Sequence, residues 1–280
     1  MPVLRLTKHH GRGNDFLVLL DPDDRHPLDS ATARQLCDRR RGVGADGAIR
    51  ATLAEPGDDG AALCMELRNA DGGIAEMSGN GVRCLAQAAV DAGVASGPAF
   101  VIRTLAGPRT VTVGPSERAG TMQVSVDMGE AELGEEEPDG TVEKLLPDGS
   151  WRARTVSVGN PHLVLLGPDL DGPDLEKIDM ARTGWEAQDA YPGGINVELV
   201  APGPGPGELV LRVWERGVGE TLACGTGSCA AAAAARSWGV VGDQVLVHNP
   251  GGTLEVGVNG LGVVLASPVR RICTVEVEVP

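Results

Sequence analysis

Cys224 and Ser78 are the side chains of this sequence best placed to do chemistry. Cys224-Gly225-Thr226-Gly227 leads into a run of alanines from 230 to 235, and Ser78-Gly79-Asn80-Gly81 leads into the apolar stretch 82–92. Alanine is the strongest helix former, so both stretches read as helices with a glycine-punctuated first turn. The first backbone N–H groups of a helix lack partners and carry partial positive charge. Glycines there let a carboxylate reach the backbone. A thiol at such a place is expected to be biased toward thiolate. A lone Cys beside an Ala-rich helix is more often packed core, and the Gly-flanked helix start is what raises the reactive reading. Gly225-x-Gly227 is no dinucleotide fingerprint, because position 230, where a third glycine would fall, is Ala.

A polar residue precedes each of the two positions at the same distance. Asn69 stands nine residues before Ser78, and Glu215 nine before Cys224. Gly159-Asn160-Pro161-His162 likewise echoes Gly13-Asn14-Asp15-Phe16, each between two apolar segments. This layout reads as an internal duplication separated by about half the chain. Two mirrored half-sites suit a reaction that needs a group on each face of one carbon. Taking a proton from one face and returning it on the other inverts that centre. A proton α to a carboxylate is weakly acidic, so the site must stabilise an enediolate-like dianion, and two helix N-termini supply fixed dipoles for it. The bases should titrate near neutrality, as a cysteine does once shifted down. No cofactor is needed, and none is expected.

The elements that would position these groups are short. Forty Gly and 19 Pro imply many turns, and four Trp, one Tyr and two Phe leave a core of Val, Leu, Ile and Ala. Apolar strands are expected at 3–8, 17–20, 48–52, 63–68, 99–104, 110–113, 122–128, 154–158, 163–166, 211–214, 244–248, 253–258, 262–265 and 272–279. A helix is expected over 30–41, with Ser30 as N-cap and Gly42 as its stop. A second of mixed polarity is expected within 172–190. Residues 55–60 read as a turn, 133–150 as a solvated acidic excursion, and 201–208 as a Pro/Gly hairpin turn. The pattern predicts an α+β fold of two pseudo-symmetric domains. Each is a strongly curved mixed sheet or barrel wrapped around a central helix, with the active site in the cleft between them. The expected halves are 1–117 with 267–280, and 118–266.

Length and charge bound the partners. The 280 residues suffice for one large or two ordinary domains. Thirty-nine acidic against 24 basic side chains, a net charge of −15, argue against nucleic acid or an anionic membrane. No apolar run reaches membrane-spanning length and no apolar signal region opens the chain, so a cytoplasmic protein is expected. The cysteines at 37, 64, 84, 224, 229 and 273 are too sparse for a disulfide scaffold. With no C-x-x-C pair and scattered His, no metal is expected.

Gly-Asn-Asp-Phe at 13–16, Asn-Ala-Asp-Gly at 69–72, Gly-Asn-Gly at 79–81, Gly-Asn-Pro-His at 159–162, Asn196-Val197 and Trp-Glu-Arg-Gly-Val-Gly-Glu-Thr-x-Ala-Cys-Gly-Thr-Gly at 214–227 together closely resemble the diaminopimelate epimerase family. That resemblance implies a PLP-independent isomerase that interconverts LL- and meso-2,6-diaminopimelate, in lysine and peptidoglycan precursor synthesis, as a homodimer. It implies that Asn14, Asn69, Asn160, Asn196, Glu215 and Arg216 hold the substrate. Gly79, Asn80, Gly225 and Thr226 take the reacting carboxylate, and His162 and Glu215 tune the catalytic Ser78 and Cys224. Asparagine can read both an ammonium and a carboxylate, and arginine grips a carboxylate bidentately. Two positions depart from the family pattern. Ser78 stands where the first catalytic cysteine falls, and a hydroxyl is a poor base without help. It is either an introduced substitution that leaves the chain impaired or a natural variant in which another group serves that face. Cys84, about two turns into the helix, is the poorer replacement. Gly47 stands where many members carry a substrate-contacting glutamine. Two other readings remain open: a relative acting on another amino acid, such as a one-thiol dehydratase, and a non-catalytic amino-acid-binding homologue.

Overall fold

In the computed structural model, residues 3–55, 57, 60–136, 139–146, 151–167 and 175–278 are described, with only the backbone of 139–141. The chain divides into two compact units, Met1–Asp127 with Ala266–Pro280, and Met128–Leu265. The expected junction at 117/118 lies ten residues before this division.

The first unit contains β1 (Val3–Gly11), β2 (Asn14–Leu20), α1 (Ser30–Cys37), β3 (Gly47–Leu53), β4 (Leu63–Asn69), α2 (Gly79–Asp91), β5 (Ala99–Thr104), β6 (Gly107–Gly114) and most of β7 (Thr121–Glu130). The long β16 (Gly262–Glu278) returns to it. Consecutive strands from β1 to β7 are neighbours, and β16 pairs with both β1 and β7, which closes the ladder into a ring of eight. From β1 to β7 and between β1 and β16, pairing is antiparallel except for β2 with β3 and β4 with β5. α2 packs against β1, β2, β3 and β6, and every residue from Gly79 to Ala89 is buried. It is the central helix that the sequence anticipates.

The second unit repeats this plan. It contains β8 (Glu132–Glu136), α3 (Asp139–Leu145), β9 (Arg152–Ser157), β10 (Pro161–Leu166), α4 (Met180–Ala190), β11 (Asn196–Pro202), β12 (Glu208–Glu215), β13 (Gly219–Thr221), α5 (Gly225–Ser237), β14 (Gln244–Asn249) and β15 (Gly252–Asn259). The strand order is β15-β14-β12-β11-β10-β9-β8, with β13 on β12. Its parallel pairs, β10 with β11 and β12 with β14, fall where β2/β3 and β4/β5 fall in the first unit. α5 packs against β9, β10, β11, β12, β14 and β15, with Gly225–Ala235 buried. Six consecutive alanines keep it slim enough to be enclosed on all sides. β10 and β11 are almost wholly apolar because they are buried on both faces, as a parallel pair within a covered sheet must be. Each large aliphatic side chain so buried contributes about 1.5–3 kcal/mol.

Four local expectations are corrected. α1 ends at Cys37 rather than 41, because the Asp38 carboxylate takes the N–H groups of Arg40 (2.7 Å) and Arg41 (2.9 Å) and turns the chain out of the helix. Its N-cap is Asp29, which accepts from Thr32 N at 2.7 Å, not Ser30. The described part of the acidic stretch 133–150, from which residues 137, 138 and 147–150 are excluded, is not simply solvated. It carries most of β8, then α3, and Val142, Leu145 and Leu146 join the core of the second unit at i, i+3 and i+4 spacing. The segments 262–265 and 272–278 belong to the single strand β16, and residue 279 lies outside the described set. Of the other expected elements, α4 occupies 180–190 of the stretch 172–190, and residues 172–174 lie outside the described set, as do 56, 58 and 59 of the expected turn at 55–60.

Candidate active site

Cys224 is the N-cap of α5. Its backbone is extended (φ −121°, ψ 121°), and its sulfur accepts from Gly227 N at 3.4 Å. Ser78 caps α2 in the same way (φ −144°, ψ 116°), its Oγ accepting from Gly81 N at 3.0 Å. Side chains at these positions ordinarily cap helices through oxygen. Here a thiol does so in one unit and a hydroxyl in the other.

Around Cys224 the second unit gathers a connected set. Thr226 Oγ1 lies 3.4 Å from the sulfur, and Asn160 Nδ2 donates to Thr226 Oγ1 at 3.4 Å. His162 Nε2 is 2.9 Å from Asn160 Oδ1, and its Nδ1 is 2.7 Å from Glu198 Oε1. Asn160 sits at the entry to β10, and His162, inside the strand, pairs with Asn196 of β11. Asn196 Nδ2 donates to Pro161 O at 3.0 Å, and its Oδ1 accepts from Arg216 N at 2.9 Å. Glu215 ends β12 and accepts from Thr221 Oγ1 at 2.5 Å. The Arg216 side chain is exposed and donates to Gly193 O at 3.2 Å.

Electrostatics overturns one expectation. The Cys224 thiol is held well above its ordinary range, not below it. Burial is the main cause, followed by the negative charges of Glu215 and Glu198, against which the contacts from Thr226 and Gly227 N–H act weakly. Glu215 is itself shifted upward by burial, which outweighs its contacts with Thr221 and Cys224. Cys224 is therefore a thiol at neutral pH, beside a carboxyl that burial also disposes toward its protonated form.

The first unit holds the other half of the expected residues. Asn80, buried on α2, accepts from Arg83 Nη2 and donates to Asn14 Oδ1 at 3.2 Å. Asn14 Nδ2 donates to Asp46 Oδ2 at 2.9 Å. A guanidinium can only donate and a carboxylate can only accept, so Arg83 and Asp46 fix the orientation of both amides. Arg39 in turn ties Asp46 to Asp15, at 2.7 Å each. Asn69 ends β4, where its N–H donates to Gly73 O and its carbonyl accepts from Gly72 N, both at 2.9 Å. Gly79 opens α2. A Cβ at Gly47 would lie 2.8 Å from Arg68 O and 3.0 Å from the Phe16 ring, so a larger residue there needs local rearrangement. Cys84 is fully buried and pushed up to about 12 by that burial, which removes it as a replacement base.

Sequence reasoning missed Glu198, a fully buried carboxylate, and Asp46 and Arg83. Glu198 had a signal available. It is an acid inside the otherwise apolar run 197–201, where an unpaired charge has no place.

Two α+β units, each a mixed sheet wound on one buried helix that starts with a polar N-cap and Gly-x-Gly, define the class. The same fold occurs in a phenazine biosynthesis protein of the PhzF family from Bacillus anthracis (TM-score 0.74, 14% identity, 100% of both chains). It occurs again in a predicted epimerase from Pseudomonas aeruginosa (TM-score 0.74, 19% identity, 99% of this chain and 100% of that one). Sequence gives the finer assignment. The family model described as diaminopimelate epimerase matches residues 6–134 and 154–269. The diaminopimelate epimerase of Mycobacteroides abscessus is 38% identical over 290 residues, covering 98% of this chain and 96% of that protein. The chain belongs to the diaminopimelate epimerase family.

Proposed function

We propose that this protein is an amino-acid epimerase that interconverts LL- and meso-2,6-diaminopimelate by proton transfer at the α-carbon, and that Ser78 limits its rate. The observation that carries the reading is Cys224 as N-cap of α5 beside Glu215, in a chain of this family. In this reading Gly79, Asn80, Gly225 and Thr226 take the reacting carboxylate, and helix-start N–H groups of this kind stabilise charge developing on an enediolate without reorganisation. Cys224 exchanges the proton on one face of the carbon, with Glu215 competing for that proton. Asn14, Asn69, Asn160, Asn196, Glu215 and Arg216 hold the rest of the substrate, and His162 tunes the proton transfer. Ser78 stands where a thiol would serve the other face, and its hydroxyl is a far weaker acid–base group. The protein acts in the cytoplasm as a homodimer on a free amino acid. Among the described residues no helix is long and apolar enough to cross a membrane.

Incubation with LL-diaminopimelate in D2O tests this. The chain carrying Ser78 should incorporate α-deuterium with little inversion. Ser78→Cys should invert the centre about 100-fold faster, as expected when a positioned acid–base group is restored. Absence of α-deuterium from either stereoisomer, in both proteins, would overturn the assignment.

A further inference from the structure

β11 is buried from Asn196 to Ala201, and in the middle of it Glu198 has no exposure at all. A carboxylate in such a place must be paired, since the loss of hydration is otherwise uncompensated. Its partner is His162, also without exposure, whose Nδ1 lies 2.7 Å from Glu198 Oε1. The parallel register sets Glu198 opposite Val164, so the carboxylate reaches back along β10 to the histidine. Its second oxygen, Oε2, is buried with no hydrogen-bond partner among the described residues. The first turn of α5 is shaped to this carboxylate, because a Cβ at Gly227 would lie 2.6 Å from Glu198 Oε1. Replacing a buried ion pair with apolar residues is often neutral or stabilising. Nothing in the packing of a Val/Leu strand calls for the acid.

We propose that Glu198 is a positioning residue that accepts the Nδ1 hydrogen of His162 and turns Nε2 toward the start of α5, where Asn160 and Thr226 connect it to Cys224. A carboxylate can only accept, so Nδ1 must carry a hydrogen, and the ring orientation follows. This is the way an acid orients a histidine in an acid–base dyad. From Nε2 the contacts run 2.9 Å to Asn160, 3.4 Å to Thr226 and 3.4 Å to the sulfur. The proposal rests on the epimerase reading only for its effect on turnover. Glu198 acts on Cys224 in two opposed ways. As a bare charge it disfavours the thiolate, whereas through His162 it organises the donors that face the sulfur.

The isosteric Glu198→Gln separates the two. The full chain, labelled with 15N-histidine, gives the ring hydrogens directly, with His162 assigned by the resonance missing from His162→Gln. A hydrogen on Nδ1 of His162 in the wild-type chain, displaced or lost in Glu198→Gln, supports the proposal. An Nδ1 bearing no hydrogen overturns it, and this readout needs no variant at position 198 to fold. Alkylation of Cys224 by iodoacetamide, followed by peptide mass spectrometry, should slow about threefold or more in Glu198→Gln. An unchanged or faster rate overturns the proposal, the faster one revealing a charge effect alone. In the Ser78→Cys background, Glu198→Gln should lower kcat about tenfold or more with KM within about threefold. If Ser78→Cys itself exchanges no α-hydrogen, the epimerase reading fails, while the ring spectrum and the alkylation rate still decide the role of Glu198.

Discussion

Burial and a helix start act on Cys224 in opposite senses. The N–H of Gly227 and the hydroxyl of Thr226 favour charge on the sulfur, but enclosure and the neighbouring Glu215 and Glu198 outweigh them. The thiol is therefore held toward its protonated form. The same crowding makes glycine obligatory at 227. Gly227→Ala should push Glu198 off His162 and destabilise the protein by about 1–3 kcal/mol, as overpacking does. Gly242→Ala, where an added Cβ meets nothing within 4 Å, should leave the midpoint in urea unchanged. Equal midpoints for the two variants would contradict this account of the first turn of α5. At this scale Cys224, Ser78 and the asparagines are legible in the sequence, because each stands beside glycines at a repeated spacing. Glu198 shows in the sequence only as an acid in an apolar run, and its role is not legible there because it comes from a histidine 36 residues away.

Loops are held to strands by charge. Asp15 on β2 accepts from Lys8 at 2.9 Å and from Arg39 at 2.7 Å, and its Oδ1 accepts from Asp46 N at 3.0 Å. These contacts fix the loop 38–46, which carries Asp46 to Asn14. Burial would raise the Asp15 carboxyl, but the Arg39 and Lys8 contacts prevail and hold it below its ordinary value of 3.8. A depressed carboxyl contributes stability above its unfolded pKa and loses it as pH falls through the folded one. Wild-type stability should accordingly decline below about pH 4. Asp15→Asn, measured by urea unfolding, should be less stable at pH 7 by about 2 kcal/mol or more and should show a flatter acid limb. A variant that keeps the wild-type acid limb would assign the decline to other carboxylates. The helix ends also belong to this scale. Asp38 ends α1 through its own side chain, a competition that residue patterning over 30–41 does not display.

The two units share one plan, down to which strand pairs are parallel and which helix is enclosed. Two buried thiols of the first unit respond to burial. Cys84 at the heart of α2 and Cys37 on α1 are both pushed up to about 12, chiefly by burial. A group raised in the folded state contributes fully below its unfolded pKa and loses that contribution as pH rises toward the folded value. The protein should therefore weaken between its thiols' ordinary value of 9.0 and about 12, by about 1.4 kcal/mol per pH unit for each such thiol. Cys84→Ala should flatten that alkaline decline in thermal unfolding, and an unaltered slope would place its origin elsewhere.

By itself the sequence determined the duplication, the enclosed helix of each half and the polar cap before each Gly-x-Gly. These rest on local propensity and spacing, which survive without any contact map. It determined the family as well, through motifs spread along nearly the whole chain. Only the tertiary structure decided that Cys224 rests as a thiol, that α1 stops at Cys37, that β16 runs unbroken, and that Glu198 stands behind His162. Desolvation and pairing between distant strands set these outcomes, and both exist only once the chain has closed around its helices.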